Sequence, residues 1–293
     1  MQHSEIKVHD FMEFTLHKYL FGTGEGPKVM VTGGIHGGEV TGIHAANKLI
    51  AWLGEREQQL KGQVMVMPIC NPGGYRRMQR SSPYDELDMN RIFPGKMNST
   101  PTQEAAALVY AESAWADYIV DLHCCGVYGS NYTLAIYEES AKSKELAGML
   151  DIPVVVLSGG TAGQLFVEAG RKMDKAAVII ELSGGQPLGK VDLVAAEAAF
   201  QALLGLIRQL GIVDEPYTKP EPVFCGPIES VNTEADAYFE PSIEGGTWVK
   251  EGDVLGAVNG QPLKAIKDCR VMNIGPARYL FKGSNLYTYV CKR

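Results

Sequence analysis

The stretch at residues 29–39, Val-Met-Val-Thr-Gly-Gly-Ile-His-Gly-Gly-Glu, constrains this chain more than any other. Residues 29–32 read as a buried strand, paired glycines stop it, and apolar residues then recur at helical intervals over 40–53. His36 and Glu39 stand three apart at that strand-to-helix corner, a spacing at which side chains point the same way. Neutral imidazole and carboxylate both ligate zinc, and a catalytic zinc takes three protein ligands and keeps one open position. Glycines on either side remove Cβ atoms, so a substrate can approach the backbone closely. An isolated H-x-x-E recurs by chance in many chains, so the metal reading rests on the remaining sequence.

The strand–helix alternation continues. Apolar strands are predicted at 63–69, 117–122, 132–137, 153–157 and 176–180, and helices at 103–114, 140–149, 163–173 and 191–210. This predicts an α/β domain with a mixed, largely parallel sheet flanked by helices. Such sheets bind ligands beyond the carboxyl ends of their strands, where His36, His123 and Glu181 all fall. Residues 1–26 read as an entry strand or two. His3, His9 and His17 lie there without metal-like spacing along the chain and are read as surface or core residues; His44 is read as packed on its helix. Residues 70–101 are rich in Asn, Pro, Gly, Ser and Arg with no obvious element. A loop of about thirty residues inside a compact domain marks function.

Beyond a linker-like stretch at 211–222, short β-like segments are separated by glycine turns: 243–249, 252–258, 263–266, 270–274 and 285–290. The expected organisation is therefore a first domain over 1–215 and a small C-terminal all-β, barrel-sandwich-like domain over 216–293. The Gly-Thr-Trp-Val-Lys-Glu-Gly-Asp-Val-Leu-Gly run resembles the turn of a lipoyl-like module. A carrier would need its lysine at a hairpin tip, which Lys267-Asp268 matches only loosely, so a structural or substrate-shaping role is expected.

Composition closes off other classes. A net charge of −7 opposes binding to nucleic acid or anionic membranes. Hydrophobic content of 45% and charged content of 21% are those of a soluble globular protein. Residues 1–20 hold no apolar signal region, and no run is long enough to span a bilayer. The six cysteines, Cys70, Cys124, Cys125, Cys225, Cys269 and Cys291, form no C-x-x-C pair and suggest reduced thiols and a cytoplasmic location. Cys124 and Cys125 are read as small side chains lining a pocket.

The chemistry-bearing residues combine. His123, 84 residues past Glu39, supplies a third zinc ligand. Asp121 lies two residues earlier and so on the same side of a strand. Metal-bound histidines donate their second N–H to a carboxylate or carbonyl, a role open to Asp121 and Asp88. Glu181 would be the general base toward a zinc-activated water; its bland alternative is a cap near a Gly-Gly turn. Arg76, Arg77, Arg80 and Arg91 argue for an anionic substrate or a polarised carbonyl, against a solvated basic loop.

Together, the Gly-Gly-Ile-His36-Gly-Gly-Glu39 corner, Asn71-Pro72-Gly73-Gly74, Arg80, the Asp88–Gly95 run Asp-Met-Asn-Arg-Ile-Phe-Pro-Gly, Asp121-Leu122-His123 and Glu181 resemble the succinylglutamate desuccinylase/aspartoacylase family of the zinc carboxypeptidase clan. The resemblance spans residues 28–186, and the C-terminal β module is similar in kind and placement. It implies a zinc carboxypeptidase-like fold and one Zn2+ per chain on His36, Glu39 and His123, with Glu181 as general base. It further implies that Arg80 polarises the scissile carbonyl, Asn90 and Arg91 hold the substrate carboxylate, and Asp88 orients His36. The family's pocket tyrosine is unplaced, Tyr128 and Tyr132 being nearby. Cys124-Cys125 departs from the more usual Thr or Ser and Gly, which bears on pocket polarity. The implied activity is a zinc-dependent amidohydrolase that deacylates a small anionic N-acyl amino acid or related carboxylate-bearing amide. The alternatives are a zinc carboxypeptidase or amidase on a peptide or cell-wall peptide, and a non-catalytic binding protein on the same fold. No nucleic-acid or membrane partner is expected, and a homo-oligomer stays open.

Overall fold

A computed structural model describes residues 1–9 and 14–293. The chain opens with an antiparallel hairpin, β1 (Gln2–His9) and β2 (Phe14–Phe21). There follow β3 (Lys28–Gly33), α1 (Val40–Arg56), β4 (Gln63–Met67), the short α2 (Pro72–Arg76), a 3-10 turn at Met89–Arg91 and α3 (Pro101–Ser113). The chain continues through β5 (Tyr118–Gly126), β6 (Tyr132–Ala135), α4 (Ala141–Met149), β7 (Val154–Leu157), α5 (Leu165–Met173), β8 (Ala176–Gly185), β9 (Lys190–Val191), α6 (Leu193–Gln209) and β10 (Val223–Cys225). These strands form one ten-stranded mixed sheet in the order β1-β2-β4-β3-β5-β8-β6-β7-β10, with β9 beside β8.

The sheet is covered on both faces, which explains its continuous apolar runs. Along β3, Val29 and Val31 face a core shared with α1, α4 and α6, whereas Met30 faces a second core with α3 and α5. Val120 and Leu122 of β5 alternate with Ile119 in the same way. Four central strands, β4, β3, β5 and β8, run parallel, so their carboxyl ends lie together.

Two strands run further than the sequence predicts. The runs 117–122 and 176–180 extend to Gly126 and Gly185, so His123 and Glu181 lie within paired strands and not just past them. Parallel β5–β8 pairing continues through His123↔Glu181, while β6 pairs the other side of β8 at Tyr132↔Glu181. Because β3 stops at Gly33, opposite Leu122, the extensions still overhang the ligand-binding end. The predicted helix at 163–173 starts at Leu165, because Gly163 has a left-handed φ of 81° and its Cα sits against the backbone of Arg91.

The C-terminal part contains β11 (Glu229–Asn232), β12 (Ala237–Pro241), β13 (Trp248–Val249), β14 (Val254–Val258), β15 (Gln261–Lys264), β16 (Cys269–Ile274), β17 (Arg278–Leu280) and β18 (Asn285–Val290). They make two four-stranded sheets, β11-β18-β16-β13 and β15-β14-β12-β17, around Phe239, Leu255, Val271 and Tyr287. The predicted strand at 243–249 shrinks to two residues, and β11, β12 and β17 were not legible because polar residues break their patterns. Met272 and Val290 pack with Tyr132, Val154, Val156 and Cys225 of the larger sheet. Among the described residues, no helix is long and apolar enough to cross a membrane.

Candidate active site and metal centre

Glu39 occupies the N-cap position of α1, yet its carboxylate makes no capping hydrogen bond to the helix. It turns instead toward two imidazoles. His36 Nδ1 is 2.8 Å from Glu39 Oε1, His123 Nδ1 is 2.9 Å from Oε2, and the two Nδ1 atoms are 3.1 Å apart. All three residues are buried. The corner that presents His36 and Glu39 is fixed by the polar loop: a Cβ on Gly37 would strike the backbone of Gly74 and Tyr75, and Gly38 N–H donates to Gln79 O at 3.1 Å. In the loop, Asn71 caps α2 through Gly74 N–H and donates to Ile35 O, tying it to the corner.

Each imidazole is anchored at its other nitrogen. His36 Nε2 lies 3.0 Å from Asp88 Oδ1, and His123 Nε2 lies 2.7 Å from Asp121 Oδ2. The fully buried Asp121 also accepts from Thr32 Oγ at 2.7 Å, a contact set by the β3–β5 register. Asp88 accepts from Arg80 Nε at 2.9 Å and from Asn90 N–H at 2.9 Å. With each Nε2 facing a carboxylate, a neutral imidazole turns its Nδ1 lone pair toward an anionic Glu39. Three electron-pair donors this close repel one another unless a cation or protons lie between them. The trio therefore fits a divalent metal, with donor atoms suited to zinc.

The titration behaviour points the same way. Burial pushes His123 down, but Asp121 and Glu39 outweigh it and hold the imidazole well above its ordinary value. Burial likewise opposes His36, and Glu39 with Asp88 raises it. Burial raises Glu39, yet His123 and His36 carry it far below the ordinary carboxylate range. The pocket is thus built to stabilise positive charge beside Glu39.

Glu181, opposite His123 across β5–β8, goes the other way. Burial raises it to about 7, reinforced by Glu39 and opposed by His123, His36 and Arg80. A carboxyl group of that kind can both take and return a proton near neutrality.

A cavity of about 580 Å³ opens over the trio. The structure brings together in its lining His36, Glu39, Arg80, Asn90, Arg91, His123 and Glu181. Asp88 lies behind them, bonded to His36 and Arg80. Asn90 Oδ1 accepts from Leu165 N–H, and Arg91 Nη1 donates to Asn90 O, fixing the turn that carries both. Arg76 and Arg77 are outside this lining. Tyr132 lines the cavity, and burial beside Glu181 pushes its hydroxyl pKa well up; Tyr128 lines a different hollow, with Gly129 and Pro276.

Several cavity residues were not singled out in the sequence. Gln164 and Gln186 carry no motif, and Met272, Asn273, Asn285 and Thr288 come from the C-terminal strands. Nothing local marks them; an antiparallel bridge between Gly129 and Asn273 brings that part over the site. Cys124 and Cys125 also line the cavity. Burial, with Glu39 beside it, raises Cys124 to about 12, so it is a neutral thiol; its backbone N–H donates to Glu39 Oε2 at 3.0 Å. Cys125 Sγ lies 3.4 Å from Ser130 O and 3.3 Å from Leu182 O, either of which can accept its single S–H.

Residues 25–207 match the family model described as the succinylglutamate desuccinylase/aspartoacylase catalytic domain. Over 249 residues the chain is 28% identical to the N-alpha-acetyl-L-2,4-diaminobutyric acid deacetylase of Halomonas elongata, covering 80% of this chain and 71% of that protein. It is 25% identical over 195 residues to succinylglutamate desuccinylase of Yersinia pestis, covering 61% of this chain and 58% of the relative. Among solved structures, the product-bound ectoine utilization protein EutE (DoeB) from Ruegeria pomeroyi superposes with a TM-score of 0.81 at 24% identity, covering 99% of this chain and 94% of that one. A succinylglutamate desuccinylase/aspartoacylase from Rhodobacter sphaeroides gives 0.80 at 20% identity, with the same coverage.

Proposed function

This chain belongs to the succinylglutamate desuccinylase/aspartoacylase family, and from that premise we propose that it is a zinc-dependent deacylase of N-acyl amino acids or related carboxylate-bearing amides. The observation that carries the reading is the convergence of two imidazole lone pairs and a carboxylate beneath a cavity that also presents Glu181 and two arginines.

His36, Glu39 and His123 would hold the zinc, with Asp88 and Asp121 orienting the imidazoles. When bound, the ion supplies Lewis acidity, lowering the pKa of water to about 7 and polarising a carbonyl. Glu181 takes the proton from attacking water and returns it to the departing amine, so that both fragments leave in stable protonation states. Arg80, steadied through Nε by Asp88, donates toward the oxyanion that develops as the carbonyl becomes tetrahedral. Asn90 and Arg91 fix the substrate carboxylate, and the guanidinium's paired donors match its two oxygens. Burial of His36, Glu39 and His123 strengthens their interactions relative to water, while Arg80 and Arg91 reach the cavity from its exposed rim.

The test is metal content of the purified protein beside His123→Ala, followed by hydrolysis of a panel of N-acyl amino acids. Zinc at about one ion per chain in the buried site, lost with His123, together with release of free amino acid, supports the reading. Turnover that survives loss of His123 and of its metal overturns it.

A further inference from the structure

We infer that His3, Glu5 and His17 form a second metal site, for a divalent cation of the zinc, nickel or copper kind, on the outer face of the N-terminal hairpin. Along the sequence these residues have no ligand-like spacing; the hairpin register creates the cluster. His3 pairs with Tyr19 and Glu5 with His17, in antiparallel register. His3 and Glu5 are two apart on one strand and therefore share a face, and His17 opposite Glu5 joins them.

The side chains realise that geometry. His3 Nε2 is 3.1 Å from His17 Nδ1, and His17 Nδ1 is 3.9 Å from Glu5 Oε1. One donor atom from each residue falls within 4.8 Å of the others. The His3 ring stacks on Tyr19 at 4.6 Å between centroids, nearly parallel, and meets the His17 ring edge to edge, nitrogen to nitrogen, with centroids 5.4 Å apart. Stacking restricts His3 before any ion arrives, lowering the entropy lost on ligation. Two imidazoles and one carboxylate suit borderline transition metals better than calcium or magnesium, which prefer all-oxygen sites. His3 and Glu5 are exposed and His17 half-buried, so water is free to complete the coordination.

The placement gives the site a consequence. β1 is the outermost strand of the sheet and pairs there with β2. A cation held by His3 and Glu5 from β1 and His17 from β2 cross-links the two strands and pins the edge.

This inference stands apart from the proposed deacylase activity. The full-length protein is dialysed against excess zinc, or separately nickel, and bound metal is counted for wild type, His3→Ala and His17→Ala. A second, weaker-binding equivalent is expected in wild type, lost from either variant, while hydrolysis of an N-acyl amino acid stays at the wild-type rate. The His123→Ala protein retains that second equivalent. Should wild type bind nothing beyond the buried site, or should both histidine variants keep the extra ion, the site does not exist. Thermal melting reads the same question without counting: excess metal is expected to raise the midpoint of wild type by more than that of His17→Ala, and equal rises overturn the cross-link.

Discussion

Two clusters in this molecule are made from the same parts, two histidines and a glutamate, and differ in what stands behind them. In the buried trio, Asp88 and Asp121 grip the outer nitrogens and Cys124 N–H grips Glu39. In the exposed trio, ring stacking on Tyr19 and a histidine–histidine contact do the positioning. Ligand identity alone does not separate a catalytic centre from a surface cation site. Backing carboxylates, burial and a cavity with a proton-transfer group make that difference.

The largest effect expected from testing this contrast is at His123. Replacing it with alanine should remove the buried metal and abolish hydrolysis, whereas His17→Ala should leave turnover unchanged; equal effects from both would erase the distinction. Next comes Glu181→Gln, which should keep metal in the buried site and lower kcat by about 10²–10⁴-fold, as removal of a general base does. A variant of normal kcat would mean another group moves the proton.

The backing residues sharpen the comparison further. Asp121→Asn should weaken metal affinity in the buried site by about 10–100-fold, measurable by competition with a chelator. No comparable carboxylate supports His3 among the described residues that contact it, so the exposed site should release its ion first under the same chelator. Arg91→Ala should chiefly raise KM for carboxylate-bearing substrates, and an unchanged KM would place the clamp elsewhere.

The smallest effect is in the pH profile. In the proposed mechanism Glu181 acts as its carboxylate, so kcat/KM should fall as pH drops through its pKa, by about tenfold per unit. Burial, reinforced by Glu39 and opposed by His123, His36 and Arg80, puts that limb near 7, and a cation on the trio draws it lower. The Glu181→Gln variant should lack the limb; its persistence would assign the titration to another group.

Much of this arrangement was legible in the sequence because it depends on local rules. Continuous apolar runs located the central strands, and the glycine corner located His36 and Glu39. What escaped was set by register between distant segments. His123 and Glu181 were expected just past their strands, but β5 and β8 continue to pair beyond them. Asn273, Asn285 and Thr288 reach the cavity only through docking of the C-terminal sheets. His3 and His17 look unrelated until Glu5 is set opposite His17. Pairings of this kind leave no trace in spacing, because nothing near either residue reports what lies across from it.

The strand β10 gives the fold an order in time. It lies beyond α6 in the chain, yet it pairs in parallel with β7 and completes the far end of the sheet, and Gly226 N–H then bonds to Cys291 O near the C-terminus. A chain leaving the ribosome amino end first therefore exposes β7 as a bare, apolar border until residue 223 has emerged. Segments made later still, from Met272 to Thr288, furnish part of the cavity lining. A nascent chain can bring His36, Glu39 and His123 together early, but its cavity wall is incomplete until Thr288 has emerged.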